Sequence, residues 1–127
     1  MYSTPKLFLI LGGINAALGV MLGAFGAHGL KTRMTAEMLA VYQTGVHYHL
    51  LHALGMLVVG MVATQLVDST YLKWAGWLML VGIVLFSGSL YLLSLTGVRG
   101  VGIVTPFGGV AFIAAWIVFV VAVLKNS

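Results

Sequence analysis

Three of the four histidines in this 127-residue chain lie within six positions, in the stretch GVHYHLLHALG at residues 45–55. Imidazole can ligate zinc, copper or haem iron, and it can take up or release a proton near neutral pH. Successive residues of a helix are turned by about 100°, so His49 and His52 share one face, whereas His47 points nearly opposite His52. The cluster therefore divides into a pair and an outlier.

The composition places these histidines in a membrane protein. Hydrophobic residues make up 61% of the chain and charged residues only 6%, whereas ordinary soluble domains contain about 25% charged residues. The net charge of +4 comes without a cluster of Lys and Arg, so we expect the lipid bilayer, and not a nucleic acid, as the partner. The absence of cysteine from the sequence excludes disulfides and thiolate metal ligands.

Four segments reach the roughly 20 apolar residues that a transmembrane helix requires: residues 7–27, 46–66, 72–96 and 106–124. Short connections make neighbouring spans antiparallel. The sequence therefore predicts that residues 1–127 form one all-α integral membrane domain, an up-down bundle of four transmembrane helices. We expect the first span to be retained, because its 21 uncharged residues exceed the apolar region of an ordinary signal peptide.

The sequence contains a helix-start signal before the second span. Thr35 is predicted to cap a helix whose first turn contains Glu37, since a carboxylate there interacts favourably with the positive end of the helix dipole. Residues 36–45 then form an interfacial helical lead-in, with a bend near Gly45. The second span follows this lead-in.

The basic residues do not fix the orientation of the bundle. Three of them fall on each side: Lys6, Lys73 and Lys125 on one, and Lys31, Arg33 and Arg99 on the other. Cytoplasmic loops are usually richer in Lys and Arg, but this even division does not indicate which side of the bundle is cytoplasmic.

Small residues predict where helices pack. Asn15, Gly19, Gly23 and Ala27 recur every four residues and form one stripe on the first span. Such a stripe is typical of a face that packs closely within a bundle or an oligomer. Serines of the third span can bond a carbonyl one turn earlier. The other predicted packing positions are Ser87, Gly88 and Ser89 in the third span and Gly108 and Gly109 in the fourth, which begins with Thr105 as N-cap and Pro106 as first helical residue.

The predicted depth of each histidine indicates its role. His47 lies at headgroup level, whereas His52 lies deeper and should face the bundle or a cavity. His28 closes the first span, and antiparallel neighbours could bring it to His52 across one end of the bundle. The main interpretation of His52 is a structural hydrogen bond; the alternatives are metal or haem ligation and proton or substrate handling. An HExxH motif and an intramembrane carboxylate are missing, so no cofactor is predicted, and His28 and His52 are the remaining metal candidates.

Four strings together resemble the YwdK/YgdD-type family of bacterial inner-membrane proteins, a domain of unknown function with small eukaryotic transmembrane relatives. They are LGAFGAH (22–28), YQTG with YHLLHAL (42–54), LFSGSLYLLSLTG (85–97) and TPFGGVAFIAAW (105–116). The resemblance implies a multi-pass protein of the bacterial inner membrane with both termini cytoplasmic, and it implies no activity. The matching positions include His28, Gln43, Thr44, Tyr48, His52, Ser87, Gly88, Ser89, Tyr91, Thr105, Pro106, Gly108, Gly109 and Trp116, whereas His47 and His49 do not match.

Three functions remain open at this point. The first is a small non-enzymatic accessory or structural membrane protein, alone, as a homo-oligomer or with a membrane-protein partner. The second is a small transporter or channel-like protein with a polar site formed by His28, Gln43, Tyr48, His52 and Asn15. The third is a metal- or haem-binding membrane protein. Because coupled transport usually needs intramembrane acids or bases, the near absence of buried charge favours the first, and no catalytic residue is predicted.

Overall fold

The computed structural model describes residues 3–125, and these residues form helices and connections with no strand. Within this range four helices are long and apolar enough to cross a membrane. Helix α1 is Thr4–Leu30, α2 is Ala36–Ala63 and α3 is Thr70–Thr96. Helix α4 is Thr105–Lys125 and follows a short 3₁₀ turn at Arg99–Ile103. The predicted all-α, four-span architecture is confirmed.

The helix ends follow local chemistry. The Thr35 hydroxyl accepts a hydrogen bond from the Met38 amide over 3.1 Å, so the predicted cap of α2 is confirmed. Gly97 ends α3 with a φ of 74°, a left-handed conformation that glycine adopts without strain. Thr105 does not cap α4 as predicted. The Phe107 amide donates to the backbone carbonyl of Val104 and not to the Thr105 side chain. The Thr105 hydroxyl is hydrogen-bonded to Ser89 instead.

Helix α2 is the centre of the bundle, because it contacts the other three helices. Its contact with α1 is antiparallel, and small residues set its register. A Cβ added to Gly12 would meet Leu57, one added to Gly19 would meet Leu50, and one added to Gly23 would meet Val46. The stripe of small residues on α1 therefore packs within this chain, against α2; only Ala27, at its end, is exposed.

The lead-in expected over residues 36–45 is part of one continuous helix. Tyr42 packs against Gly26 of α1 and donates its hydroxyl to the Leu22 carbonyl over 2.5 Å. The 28 residues of α2 span about 42 Å at 1.5 Å per residue, more than a hydrocarbon core of about 30 Å. Gly45 lies within this continuous helix, without the expected separation of a lead-in, and its missing side chain admits Tyr91.

An apolar core fills the end of the bundle where α2 ends and α3 begins. Phe8 of α1 lies over Gly76 of α3, so close that a Cβ at position 76 would overlap its ring. The other fully buried apolar side chains of this core are Met56, Val59, Leu72, Ala75, Met79, Ala115 and Ala122. A layer of polar side chains lies next to this core, towards the middle of α2.

Candidate functional site

The polar layer is built around His49, which is 4% exposed and stands midway along α2. Its Nε2 lies 3.0 Å from Oδ1 of Asn15 on α1, and its Nδ1 lies 2.9 Å from the Tyr91 hydroxyl on α3. Asn15 in turn donates its amide nitrogen to the carbonyl of Leu11 over 2.9 Å. One imidazole thus connects three helices.

The partners of His49 fix its protonation pattern. The Leu11 carbonyl can only accept, so the Asn15 side chain must present its NH₂ group there and its oxygen to His49. The Nε2 of His49 therefore carries the proton, and Nδ1 accepts from the Tyr91 hydroxyl. In its neutral form His49 is thus protonated at Nε2, and both ring nitrogens have hydrogen-bond partners.

His52 lies one turn further along α2, is 2% exposed, and faces α4 instead. Its ring stacks on Phe112, with ring centroids 3.5 Å apart and planes inclined by 9°. The Trp116 indole lies 3.0 Å from Nε2, and the Tyr48 carbonyl lies 2.9 Å from Nδ1. The 60° turn between His49 and His52, which places them on one face of an isolated helix, is enough to direct them to different neighbours.

His52 has the opposite tautomer. An indole nitrogen only donates, so Nε2 of His52 must accept from Trp116. The proton therefore sits on Nδ1 and is donated to the Tyr48 carbonyl. His52 is a neutral imidazole protonated at Nδ1, and its one lone pair is engaged. The predicted structural hydrogen bond of His52 is what its geometry shows.

Hydroxyl groups in the same layer bond α3 to α2 and to α4. The Ser87 hydroxyl donates to the Gly45 carbonyl over 2.7 Å, from a π-helical turn of α3 at Ile83–Ser87. The Ser89 hydroxyl bonds the Phe86 carbonyl over 2.9 Å and Thr105 of α4 over 2.5 Å. Ser87 and Ser89, two of the predicted packing positions, thus bond α3 to its neighbouring helices.

Glycines bring α3 and α4 together at this level. A Cβ on Gly108 would overlap the backbone nitrogen of Phe86, so only glycine fits there. Its neighbour Gly109 is more open, since a Cβ there would lie 3.9 Å from the Phe86 ring. Gly88 is also open, with the Ile83 carbonyl oxygen 3.9 Å from an added Cβ. Of these three predicted packing positions, Gly108 alone lies in a contact that demands glycine.

The expected approach of His28 to His52 does not occur. The register of α1 against α2 sets position 17 beside His52, because Gly19 lies over Leu50 and Gly12 over Leu57. His28 is eleven residues from position 17, which is about 16 Å along the helix at 1.5 Å per residue. His28 is exposed, in the π-helical turn that ends α1. The transport hypothesis therefore loses its proposed pair of histidines.

The other predicted polar residues also lie apart from one another. Gln43 is exposed on α2. Tyr48 is 37% exposed, and its ring lies against Phe86, with centroids 4.7 Å apart. His47 is exposed and lies eleven residues after Ala36, the first residue of α2. Of the predicted polar site, Asn15 and His52 are the buried members.

Sequence reasoning missed three members of the polar layer: His49, Tyr91 and Trp116. His49 does not match the family strings, and Tyr91 and Trp116 do match them but carry no predicted role. One signal was present. Asn15 shares its stripe with Gly19 and Gly23, so whatever faces that stripe from α2 had to bond a buried amide.

The described residues 3–125 contain no group of three or more His, Asp or Glu side chains placed to hold a metal ion. His49 and His52 each have a single lone pair, and protein donors occupy both lone pairs. A metal ion would have to displace Tyr91 or Trp116 to reach them. The two buried histidines therefore offer no free lone pair to a zinc or haem iron.

Comparison with known proteins gives a family and no activity. A family model described as a protein of unknown function (DUF423) matches residues 22–109. The UPF0382 membrane protein YwdK of Bacillus subtilis is 56% identical over 120 residues, which cover 94% of this chain and 98% of that protein. A UPF0382 membrane protein of Staphylococcus epidermidis is 48% identical over 120 residues, which cover 94% of this chain and 97% of that protein.

No solved structure matches the chain. The family match includes the C-terminal part of α1, all of α2 and α3, and the start of α4. The relatives extend the similarity over nearly the whole chain, and they are named as membrane proteins, as the four apolar helices require. The chain belongs to the DUF423 family of uncharacterised multi-pass membrane proteins.

Proposed function

We propose that this protein is a non-enzymatic structural or accessory protein of the membrane, whose buried polar side chains hold four helices in one register. The observation that carries the proposal is the pair of opposite tautomers. His49 and His52 each use both ring nitrogens on fixed partners from neighbouring helices. Side chains engaged in this way specify which helices meet and at what height.

Close packing supports the same proposal. An ion path needs polar groups that can exchange partners and space for a hydrated ion. At Gly19 and Gly108 the neighbouring helix lies so close that even a Cβ would overlap it. Both contacts lie beside the polar layer, and both favour a fixed bundle.

Reconstitution in liposomes tests this function. We expect vesicles containing the protein to keep an imposed pH or potassium gradient as long as empty vesicles do. The control is the His49→Gln variant, which should leak no less and no more than the wild type if the layer is structural. Faster loss of the gradient with the wild type, abolished by His49→Gln, would reject the structural proposal.

One observation favours proton handling as a second candidate function. The Tyr91 hydroxyl is the donor to His49 and can rotate to become an acceptor. His49 could thus take up a proton without losing this contact, whereas a proton added to Nε2 of His52 would face the N–H of Trp116. In this case Tyr91→Phe should stop any proton leak seen in the liposome assay, while Tyr71→Phe, at a partly exposed tyrosine, should leave it unchanged.

We further place the protein in the bacterial inner membrane, with both termini cytoplasmic and the lipid bilayer as its partner. The alternating direction of four helices supports termini on the same side, and the bacterial source of the relatives supports this membrane. The cysteine-free chain allows a direct test with Ser3→Cys and Lys125→Cys. Both should be protected from a membrane-impermeant thiol reagent in intact cells; labelling of either one rejects this orientation.

A homo-oligomer or a membrane-protein partner remains compatible with this function. Much of the outer surface of α1 and α4 is apolar, with Ile14, Val20, Ile113 and Val120 each more than half exposed. In a membrane these faces meet lipid or another helix. Cross-linking in native membranes distinguishes contact with lipid from contact with a partner helix, because only a partner helix gives a discrete protein adduct.

A further inference from the structure

The outer face of α2 carries polar side chains, whereas the outer faces of the other helices are apolar. Gln43 and His47 are exposed and lie one turn apart on α2. Among the described residues 3–125, neither side chain has a hydrogen-bond partner. Over the middle turns of the other helices, the exposed residues are glycine, alanine, tryptophan or larger apolar residues; these turns are residues 10–24, 77–92 and 110–120. Exposed amide and imidazole groups therefore distinguish the outer face of α2 from those of its neighbours.

His47 lies at a depth where hydrocarbon surrounds the bundle. Glu37, in the first turn of α2, pairs with Arg99 and marks one charged end. His47 is ten residues beyond Glu37, which is about 15 Å along the helix. Lys6 marks the other end and lies level with Ala63 in the register of α1 against α2, about 24 Å from His47. A hydrocarbon core of about 30 Å centred between these ends places His47 roughly 10 Å inside its nearer edge.

Lipid cannot satisfy the polar groups of this face. Acyl chains offer no hydrogen bond, and polar side chains at this depth therefore normally face protein. Within one chain, α1 packs against Val46 and Leu50 on one side of His47, and α4 packs against His52 on the other. Neither helix covers His47, which stays exposed. The group that bonds it must come from outside this chain.

A second copy of this chain is the partner whose chemistry fits. A neutral imidazole has one donor and one acceptor nitrogen, and a carboxamide also offers both a donor and an acceptor. Each can therefore bond an identical group, as a carboxylate or an ammonium group cannot. Two copies inserted in the same orientation are related by a two-fold axis along the membrane normal. This symmetry brings His47 to His47 and Gln43 to Gln43 at equal depth.

The same face continues as a stripe that suits two parallel helices. Its exposed residues recur at alternating intervals of three and four, which is the spacing along the seam of a left-handed helix pair. The stripe consists of Thr44, His47, Leu51, Leu54, Val58 and Met61. The Thr44 hydroxyl already bonds the Ala40 carbonyl over 3.0 Å, so it adds no unpaired group. One partner helix would thus cover the polar and the apolar part of the face together.

We propose that two copies of this chain associate through the outer faces of their α2 helices, with His47 bonded to His47 and Gln43 to Gln43 of the other copy. The inference rests on the proposed function for the shared orientation of the copies, and it adds a partner to that function. The two fail separately, because loss of the dimer leaves the bonds of His49 and His52 within each chain unchanged.

Disulfide cross-linking of the full chain in native membranes tests the proposal, since the sequence contains no cysteine. We expect Leu51→Cys to form at least about tenfold more disulfide dimer than Leu18→Cys, because a disulfide requires Cα atoms within about 7 Å. Leu18 of α1 is the matched control: it lies level with Leu51 and is equally exposed, at 44% against 45%. Val58→Cys should cross-link as well, because copies of one orientation bring equal depths together.

The hydrogen bonds of the interface are tested in the Leu51→Cys background. His47→Leu should reduce the yield of disulfide dimer about threefold, as expected for the loss of a hydrogen bond between membrane helices. His47→Asn keeps a donor and an acceptor and should retain the yield. His28→Leu, at an exposed histidine near the end of α1, should leave it unchanged.

Three results would overturn the proposal. One is a yield for Leu51→Cys or Val58→Cys no higher than for Leu18→Cys, since the α2 faces then do not meet in parallel. Another is a main product that contains a different protein, because that protein then covers the face. The third is an undiminished yield with His47→Leu, which would show that His47 makes no bond across the interface.

Discussion

The indole of Trp116 donates to Nε2 of His52 over 3.0 Å, and this one bond decides where His52 carries its proton. An indole has no lone pair to offer, so Nε2 must accept and Nδ1 must donate to Tyr48. A residue that the sequence presented as a possible ligand or proton carrier is thereby a fixed neutral contact between α2 and α4. Trp116 is 36% exposed, so part of its side chain lies on the outer surface of the bundle.

Replacing this donor should weaken the bundle. Trp116→Phe keeps an aromatic ring and leaves Nε2 of His52 without a partner, so we expect the free energy of unfolding to fall by about 1 kcal/mol. Denaturation of the purified protein in mixed micelles measures this change. Trp74→Phe is the control, because Trp74 is 60% exposed on α3; an equal loss in both variants would mean that the bond contributes nothing.

Asn15 and His49 should be energetically coupled. We expect Asn15→Ala and His49→Ala together to cost less than the two separate costs, with a coupling energy of about 0.6 kcal/mol and at most about 1.7 kcal/mol, as for other hydrogen bonds between membrane helices. A double-mutant cycle in bicelles measures it. Asn15→Ala with Thr64→Ala is the control, since Thr64 lies beyond the end of α2. A coupling no larger than in the control would show that the Asn15–His49 bond is absent in the membrane.

Two adjacent glycines should respond differently to alanine. Gly108→Ala places a Cβ against the backbone of Phe86, which cannot move aside as a side chain can, so we expect a loss of about 1–3 kcal/mol in stability. Gly109→Ala meets only an ordinary contact with the Phe86 ring and should be neutral or stabilising. Thermal unfolding of the two variants side by side gives the comparison. The packing account of α3 and α4 is wrong if Gly108→Ala is as stable as Gly109→Ala.

Metal content should not depend on the buried histidines. Their lone pairs are engaged by Tyr91 and Trp116, so we expect protein isolated from native membranes to contain substoichiometric zinc and copper and to show no haem absorption. Elemental analysis of the wild type and His52→Ala should give equal values. One metal ion per chain in the wild type, lost in His52→Ala, would contradict the tautomer assigned to His52.

Much of the fold is predictable from the sequence, because the length of an apolar segment and the spacing of its small residues are properties of one helix alone. The four spans follow from runs of apolar residues, and the cap at Thr35 follows from a hydroxyl before a helical segment. In the structure α2 approaches α1 closely at Gly19 and Gly23, where small side chains leave room for a neighbouring helix.

Which side chains bond each other in the polar layer depends on the register of one helix against the next. The sequence does not give this register. A shift of α1 by three turns would bring His28 to His52; the contacts at Gly12 and Gly19 exclude it. Likewise, the composition of the spans does not say whether Tyr91 and Trp116 lie at a headgroup belt or at mid-span. Both aromatic residues reach the histidines only because their helices are held at that height.

The most direct test of the account is the tautomeric state of the two buried histidines, read from ¹⁵N chemical shifts of ring-labelled protein in lipid bilayers near neutral pH. We predict two neutral imidazoles of opposite type, with His49 protonated at Nε2 and His52 at Nδ1. His49→Gln and His52→Gln assign the signals by removing one each. Identical tautomers, or a charged imidazolium at either position, would contradict the structural role proposed for this layer.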